Sequence, residues 1–195
     1  IQYALEQGVV VVAAVGNNDS DHPFYPVAYP GGIGVTAVDA ANHKAPFANY
    51  GASFVDLAAP GVGITSTIIG PEGSGYASWS GTSMSTAFVS GAAALLQQKV
   101  PGASVTTTLE LLRTHGADLD PANPAYVGQI GRMLDLATVL RDAATATPSP
   151  TVTPTLTVTP PLPVGTPAPT VTPSPVATPV GGGERSRHYL PLVLR

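Results

Sequence analysis

Cysteine is absent from the 195 residues. Its absence excludes a disulfide framework, a thiolate metal site and a cysteine nucleophile, while leaving the cellular compartment open. Charge is sparse as well: Asp, Glu, Lys and Arg make up 10% of the chain, and the formal net charge is −4. The Lys and Arg residues form no run or patch, so the electrostatic footprint of a nucleic-acid-binding surface is missing. No apolar stretch reaches the roughly 18–20 residues that a membrane-spanning helix needs. The longest uninterrupted one, Val9 to Val15, has the length of a strand.

What is present falls into two compositions. Residues 1–143 mix apolar runs, glycines and scattered charges, as a globular α/β segment does. Residues 144–183 are almost entirely Thr, Pro, Val, Ser, Ala and Gly, and 11 of the 21 prolines fall between Pro148 and Pro179. Such a stretch has too few large apolar side chains to bury a core, and its prolines forbid helix and central strand. It reads as a disordered, extended tail, a Thr/Pro-rich linker or stalk whose Thr and Ser are open to O-glycosylation. A third segment, residues 184–195, ends in Tyr189-Leu190-Pro191-Leu192-Val193-Leu194-Arg195.

Within the first 143 residues, Ile1 to Gln7 reads as the end of an amphipathic helix with Gly8 at its C′ position. The β-branched run Val9 to Val15, apolar on both faces, reads as a buried strand of a parallel sheet. Ile33 to Val38 and Phe54 to Ala59 are further strands, and Gly63–Ile69 with Gly75–Trp79 forms a hairpin around Pro71-Glu72-Gly73. From Gly81 the pattern turns helical, with Met84, Phe88, Ala92, Leu95 and Leu96 sharing a stripe. Gly91 in that helix implies close approach of another backbone. Thr106–Thr114 and Met133–Ala143 are two more helices, the last with Leu and Val residues that seal the domain edge. Helix followed closely by strand favours a mostly parallel sheet covered by helices.

The string Gly81-Thr82-Ser83-Met84-Ser85-Thr86-Ala87-Phe88-Val89-Ser90-Gly91 carries the chemistry. A turn of small residues opens a long helix and sets Ser83 at its N-terminus, where unpaired N–H groups and the helix dipole favour negative charge. Local chemistry alone also allows Thr82 or Ser83 to be a plain N-cap.

Gly81 to Met84 resembles the Gly-Thr-Ser-Met motif of the subtilisin-like serine proteases, with Val89, Ser90 and Gly91 fitting its continuation. Val11 to Asn17 resembles the family strand that ends in Gly-Asn. Tyr25-Pro26 to Tyr29-Pro30, Ile33 to Asp39, Phe47 to Gly51 and Val55 to Gly61 resemble the following family segments in order. Gly128 to Gly131 is similar, less closely, to the family's closing stretch. Ser85-Thr86-Ala87-Phe88 departs from the usual Ala-Thr/Ser-Pro-His. The missing proline costs a rigid helix start, and Phe88 is expected to pack.

The resemblance covers residues 1–143 and implies an α/β subtilisin-like fold, incomplete here, with helices on both faces of the sheet. It implies acyl transfer by Ser83, assisted by a histidine and an aspartate, with Asn17 donating its side-chain amide to the oxyanion beside the Ser83 N–H. Asn17 is otherwise an ordinary turn residue. Ala14, Val15, Gly16 and Thr82 would line the substrate site, and Phe24, near the family's primary specificity pocket, either narrows that pocket or is a loop aromatic. Family order places the Asp and His before Asn17, yet the sixteen preceding residues contain neither. His22, His43, His115 and His188 read as solvated loop histidines, and Asp39 and Asp56 match structural family positions. The expectation is the C-terminal part of a peptidase domain, inactive by itself.

No cofactor is required for such chemistry. Structural calcium is frequent in the family through loop carbonyls, which leave no signature, and no run of spaced Asp residues marks a loop for it, so metal stays open. The partners implied are protein or peptide substrates, with no nucleic acid and no membrane span, in an extracellular or cell-surface setting in bacteria. The C-terminal segment resembles Tyr-Leu-Pro-Leu-Val endings of exported bacterial proteins and reads as a sorting or surface-attachment signal, or as an ordinary terminus. The rival readings are a pseudo-protease or adhesion module on the same scaffold, and a surface anchor whose globular part merely spaces the tail.

Overall fold

The computed structural model describes residues 1–70 and 73–143; Pro71, Glu72, the Thr/Pro-rich linker and the end segment with His188 lie outside the described residues. In chain order the elements are α1 (Gln2–Glu6), β1 (Val12–Ala14), β2 (Ile33–Val38), β3 (Leu57–Pro60), β4 (Ile64–Gly70), β5 (Gly73–Trp79), α2 (Thr82–Lys99), α3 (Val105–Thr114), a 3-10 turn at Asp120–Ala122, β6 (Arg132–Met133) and α4 (Leu136–Ala143). Strands β1, β2, β3 and β6 form a parallel sheet in that order, and β4 pairs with β5 as an antiparallel hairpin.

The apolar run at Val9–Val15 is longer than β1 because the ladder forms only where β2 lies alongside, Val12 opposite Ile33 and Ala14 opposite Val35. Single bonds prolong the pairing, from Ile33 N–H to the Val11 carbonyl (2.8 Å) and from Val15 N–H to the Val35 carbonyl (3.2 Å). β2 occupies the expected residues and is buried along its whole length. β3 starts three residues later than its composition suggests. Phe54 is held in a turn, its N–H on the Gly51 carbonyl (3.2 Å), and its own carbonyl stands where a Gly34 Cβ would be. β2 therefore needs glycine at 34, and the chain straightens only at Leu57.

Alternate residues of the strands face the main core, as a pleated sheet requires: Val10 and Val12, Ile33 and Val35, Leu57 and Ala59. Against them lie Val89, Ala92, Ala93 and Leu96 of α2, Leu109 and Leu112 of α3, and Val139 of α4. On the opposite face Ala13 and Val15 meet Val27, Phe54 and Val55, while Val38 and Ala58 meet Leu119 and Ile130. Parallel strands are covered on both sides in this way because neither face can be left to water.

α2 begins where its glycine-led string predicts, but its buried stripe is not the one composition suggests. The buried residues are Thr82, Ser85, Thr86, Val89, Ser90, Ala92, Ala93 and Leu96. Phe88 and Leu95 each remain 45% exposed, and a Cβ built on Gly91 meets nothing within 4 Å. The sheet is approached by the helix face with small and hydroxyl-bearing residues, which lets the backbones come close. Phe88 and Leu95 point away, and of the large side chains in the stripe only Leu96 faces the core.

The remaining helices are capped by their own sequence. Ser104 accepts the Thr107 N–H (3.0 Å) at the start of α3. Asp135 accepts the N–H (3.0 Å) and the hydroxyl (2.8 Å) of Thr138 at the start of α4, and the Thr138 amide holds the Asp135 carboxyl below its ordinary pKa. The expected last helix loses its first residues to β6, where Met133 pairs with Ala58. α3 is tied to the sheet by Arg113, 2.9 Å from the Asp56 carboxylate, whose other oxygen accepts the Gly34 N–H at 2.7 Å.

The exchange of stripes on α2 is testable. Leu96→Ala should destabilise the fold by about 2–5 kcal/mol, as truncation of a buried leucine does. Leu95→Ala should cost less than about 1 kcal/mol. Urea unfolding of both variants decides it; equal losses would restore Leu95 to the core.

Candidate functional site

The C-terminal edge of the parallel sheet and the N-terminus of α2 meet at two glycines. The Gly81 N–H donates to the Gly61 carbonyl at 2.8 Å. A Cβ on Gly61 would collide with the Ser85 hydroxyl and come within 2.5 Å of the Ala37 Cβ and 2.9 Å of the Gly81 carbonyl oxygen. Ser85 donates from its hydroxyl to the Ala59 carbonyl (2.9 Å) and reaches the Pro60 carbonyl (3.2 Å). Thr86 returns its hydroxyl to the Thr82 carbonyl (2.8 Å). These contacts fix the first turn of α2, and Ser83 is its second residue, partly buried at the open end.

That helix end carries no acidic residue in its first turn and no capping side chain at Gly81. The field of the helix dipole at Ser83 is therefore unopposed locally, and the Ser83 N–H is one of the four that a helix leaves without an intrahelical acceptor.

Asn17 lies early in the loop that follows β1 and is an exposed residue. Its Oδ1 accepts from the Thr82 N–H (2.9 Å) and the Thr82 hydroxyl (3.0 Å). A backbone N–H can only donate, so the oxygen must face Thr82 and the Nδ2 amino group is turned away from it. A Cβ on Gly81 would lie 3.6 Å from Asn17 Nδ2, 3.6 Å from Met84 Sδ and 3.8 Å from Ser83 N. Asn17 Nδ2 and Ser83 N thus lie near one another, on the side of Gly81 that has no Cβ. Two neighbouring N–H donors beside a serine are an arrangement suited to charge developing on a carbonyl oxygen brought to that serine.

The other sequence-nominated residues gather nearby. Ala14 closes β1, buried Val15 and Gly16 continue from it, and the Phe24 ring carbon Cδ2 is 3.6 Å from where a Gly16 Cβ would be. Thr82 is fully buried and holds Asn17 as described. The histidines lie elsewhere. His22 sits against Asp21 (3.3 Å) and His43 against Asp39 (3.7 Å), both exposed. His115 departs from the solvated-loop reading: it ends α3, with Nδ1 2.9 Å from the Leu111 carbonyl and Nε2 3.5 Å from Asp142. Among the described residues no three His, Cys, Asp or Glu side chains come together as metal ligands.

Two supports were invisible in the sequence. Asn49, fully buried, makes a set of hydrogen bonds to the loop that carries Asn17. Lys44, its side chain almost wholly buried, reaches Asp19 in the same loop at 2.7 Å and lies over the Tyr126 ring at 4.6 Å. Burial raises the pKa of Tyr50 beside it, and the carboxylates of Asp21 and Asp19 add to the effect. Both contacts span at least 25 residues of sequence, which no local pattern announces.

Comparison with known proteins gives a consistent set of likenesses. The family described as Peptidase S8, subtilase family, matches residues 1–131. Alkaline elastase YaB of a Bacillus species is 46% identical over 101 residues, which are 52% of this chain and 26% of that protein. Subtilisin Savinase of Lederbergia lenta is 42% identical over 123 residues, 63% of this chain and 44% of that protein. Among solved structures, a protease of Pseudoalteromonas arctica superposes with a TM-score of 0.67 at 28% identity, covering 73% of this chain and 45% of that one. A cold-adapted subtilisin-like serine proteinase does so with a TM-score of 0.59 at 31% identity, over 68% and 47%. The chain thus spans less than half the length of these relatives.

The packing at Gly61 leads to a second prediction. Gly61→Ala should destabilise by about 1–3 kcal/mol, because the Ser85 hydroxyl and the turn before Ser83 must move. Gly75→Ala, where an added Cβ meets nothing within 4 Å, should stay within about 0.5 kcal/mol of the parent. Urea unfolding of the two variants compares them directly, and an unperturbed Gly61→Ala protein would show that the close approach is not a constraint.

Proposed function

The chain belongs to the subtilase family, and from that premise we propose that it carries the nucleophile and the oxyanion-binding groups of a serine endopeptidase. The observation that carries this reading is the orientation of Asn17, whose oxygen is committed to Thr82 while its amino group lies near the Ser83 N–H beside Gly81. Ser83 Oγ attacks the carbonyl carbon of a peptide bond and its proton passes to a histidine base. The carbonyl oxygen, now an anion, is held by the Ser83 N–H and Asn17 Nδ2. Collapse expels the amine with the proton returned by the histidine, and water then hydrolyses the Ser83 ester by the same steps.

These 195 residues hold no His or Asp ahead of Asn17, where family order puts them. The reading therefore assigns the base and its orienting carboxylate to residues outside this sequence, and expects the 195 residues alone to be inactive. No cofactor takes part in the chemistry. Substrates are proteins or peptides bound in extended form, with Ala14, Val15, Gly16, Phe24 and Thr82 around the residue that precedes the scissile bond. Phe24, half-exposed against Gly16, narrows that subsite.

No helix of the described residues is long and apolar enough to cross a membrane. The setting proposed is extracellular or at the bacterial cell surface. Residues 1–143 form the C-terminal part of the peptidase domain, 144–183 a linker and 184–195 a short segment for attachment.

A fluorophosphonate probe tests the catalytic reading. In the protein that contains the complete domain, the probe should label Ser83, and Ser83→Ala should lose both the label and peptide hydrolysis. A folded complete protein that takes no label would make the pseudo-protease the better account. Phe24→Gly should shift the kcat/KM ratio between large and small residues before the scissile bond by at least about 10-fold in favour of the large ones. An unchanged ratio over a matched peptide series would leave Phe24 as a loop aromatic.

A further inference from the structure

We infer that Asn49 is a positioning residue that sets the geometry of the Asn17 side chain, an inference that rests on the peptidase reading. Asn49 makes its hydrogen bonds away from Ser83, on the backbone at both sides of Asn17. Before Asn17, its Nδ2 donates to the Val15 carbonyl (3.0 Å), and its own N–H donates to the Gly16 carbonyl (3.0 Å). After Asn17, its Oδ1 accepts from the Asn18 N–H (2.8 Å) and the Ser20 N–H (3.2 Å). One side chain and its backbone amide thus bracket Asn17 with four hydrogen bonds. Because Oδ1 faces two donors and Nδ2 a carbonyl, the amide has a single satisfied orientation.

The bracket is itself anchored. The Asn49 carbonyl accepts the Thr36 hydroxyl (2.7 Å) from the middle of β2, and both residues are fully buried. Neighbouring bonds join the same two segments, from Asp19 N–H to the Phe47 carbonyl (2.8 Å) and, in the opposite sense, from Tyr50 N–H to the Ser20 carbonyl (3.1 Å). Gly16 is shaped to this contact, with a φ of +108° and an absent Cβ that would lie 2.6 Å from Asn49 Nδ2. An exposed loop asparagine is normally free to sample rotamers. Here the loop is held from the sheet side by Asn49 and the side chain from the helix side by Thr82, so Nδ2 is aimed before any substrate arrives. Preorganisation of that kind is what makes a donor effective toward a charge that exists only in the transition state.

A residue that acts through another should lose its effect when the other is removed. The experiment uses the complete active protein, steady-state hydrolysis of one peptide substrate, and the variants Asn49→Ala, Asn17→Ala and the pair. Asn49→Ala should lower kcat by about 10-fold or more with KM changed less than about 3-fold, and by no more than the about 10²–10³-fold known for loss of a subtilisin's oxyanion asparagine. In the Asn17→Ala background the same substitution should cost less than about 3-fold in kcat. Equal losses in both backgrounds, a loss confined to KM, or no loss overturns the inference. Should Asn49→Ala fail to fold, Asn49→Ser, which keeps one acceptor, is read by the same comparison. Hydrogen exchange at residues 16–20 gives a readout independent of catalysis and should quicken in either variant; unchanged exchange also overturns the inference. Failure of the peptidase reading shows separately, as a parent protein without Ser83-dependent hydrolysis.

Discussion

The start of α2 has to lie against the C-terminal edge of the parallel sheet closely enough for the Gly81 N–H to reach the Gly61 carbonyl at 2.8 Å. Everything at the site depends on that approach. It requires a missing side chain at 61, where a Cβ would strike Ser85 and Ala37, and a small hydroxyl at 85 that can satisfy the exposed end of β3. With those conditions met, Thr82 falls within 3.0 Å of Asn17 in the loop after a different strand. The nucleophile candidate and its neighbour are therefore brought together by backbone contact between two elements. Neither loop could place them so closely on its own.

Close approach has a physical cost that the sequence manages. Thr36, Asn49, Thr82, Ser85, Thr86 and Ser90 are buried polar residues in a small core, and a buried polar group without a partner costs roughly 1–3 kcal/mol. The first five are each satisfied by a named bond, to Asn49, to the Asn17 loop, to Asn17, to Ala59 and to Thr82. Polar satisfaction and site geometry are thus the same set of hydrogen bonds. A network of this kind specifies one arrangement, since a rotated side chain would strand several groups at once. The larger apolar residues are left to the interior end of α2, where Val89 and Leu96 pack on the sheet without constraining Ser83.

Sequence patterning located what is local. β2 occupied its expected residues because Ile33 to Val38 is apolar, β-branched and buried on both faces. The glycine-led string placed the start of α2 within a residue, and Ser83 and Asn17 were legible from that string and from the resemblance it carries. The α2 stripe was misread because hydrophobicity favours Phe88 and Leu95, whereas the sheet is met by the narrow face of Ser85, Val89 and Ala93. Likewise β3 was displaced because Phe54 is apolar enough for a strand but is held by the turn at Gly51. Asn49 carries no signal of its own within Phe47 to Gly51, since its partners are 29 and 31 residues away and a buried asparagine has no periodicity.

On the peptidase reading, the chain order separates two kinds of catalytic work. Nucleophile and oxyanion donors sit on the segment from β1 to α2, bound to one another through Thr82, while the groups that move protons come from elsewhere. These contributions are separable in principle. A site that has lost its triad keeps a residual acceleration of about 10³–10⁴ over water from oxyanion binding and substrate binding. The hydrogen bonds linking Thr36, Asn49, the Asn17 loop and Thr82 all lie within residues 15–82, so the placement of Asn17 beside the start of α2 is held within this part of the sequence. Departures from the family string at Ser85, Ala87 and Phe88 fit that division. The Ser85 hydroxyl joins the network through Ala59, and Ala87 and Phe88 lie on the exposed face of α2, away from every bond that fixes Asn17.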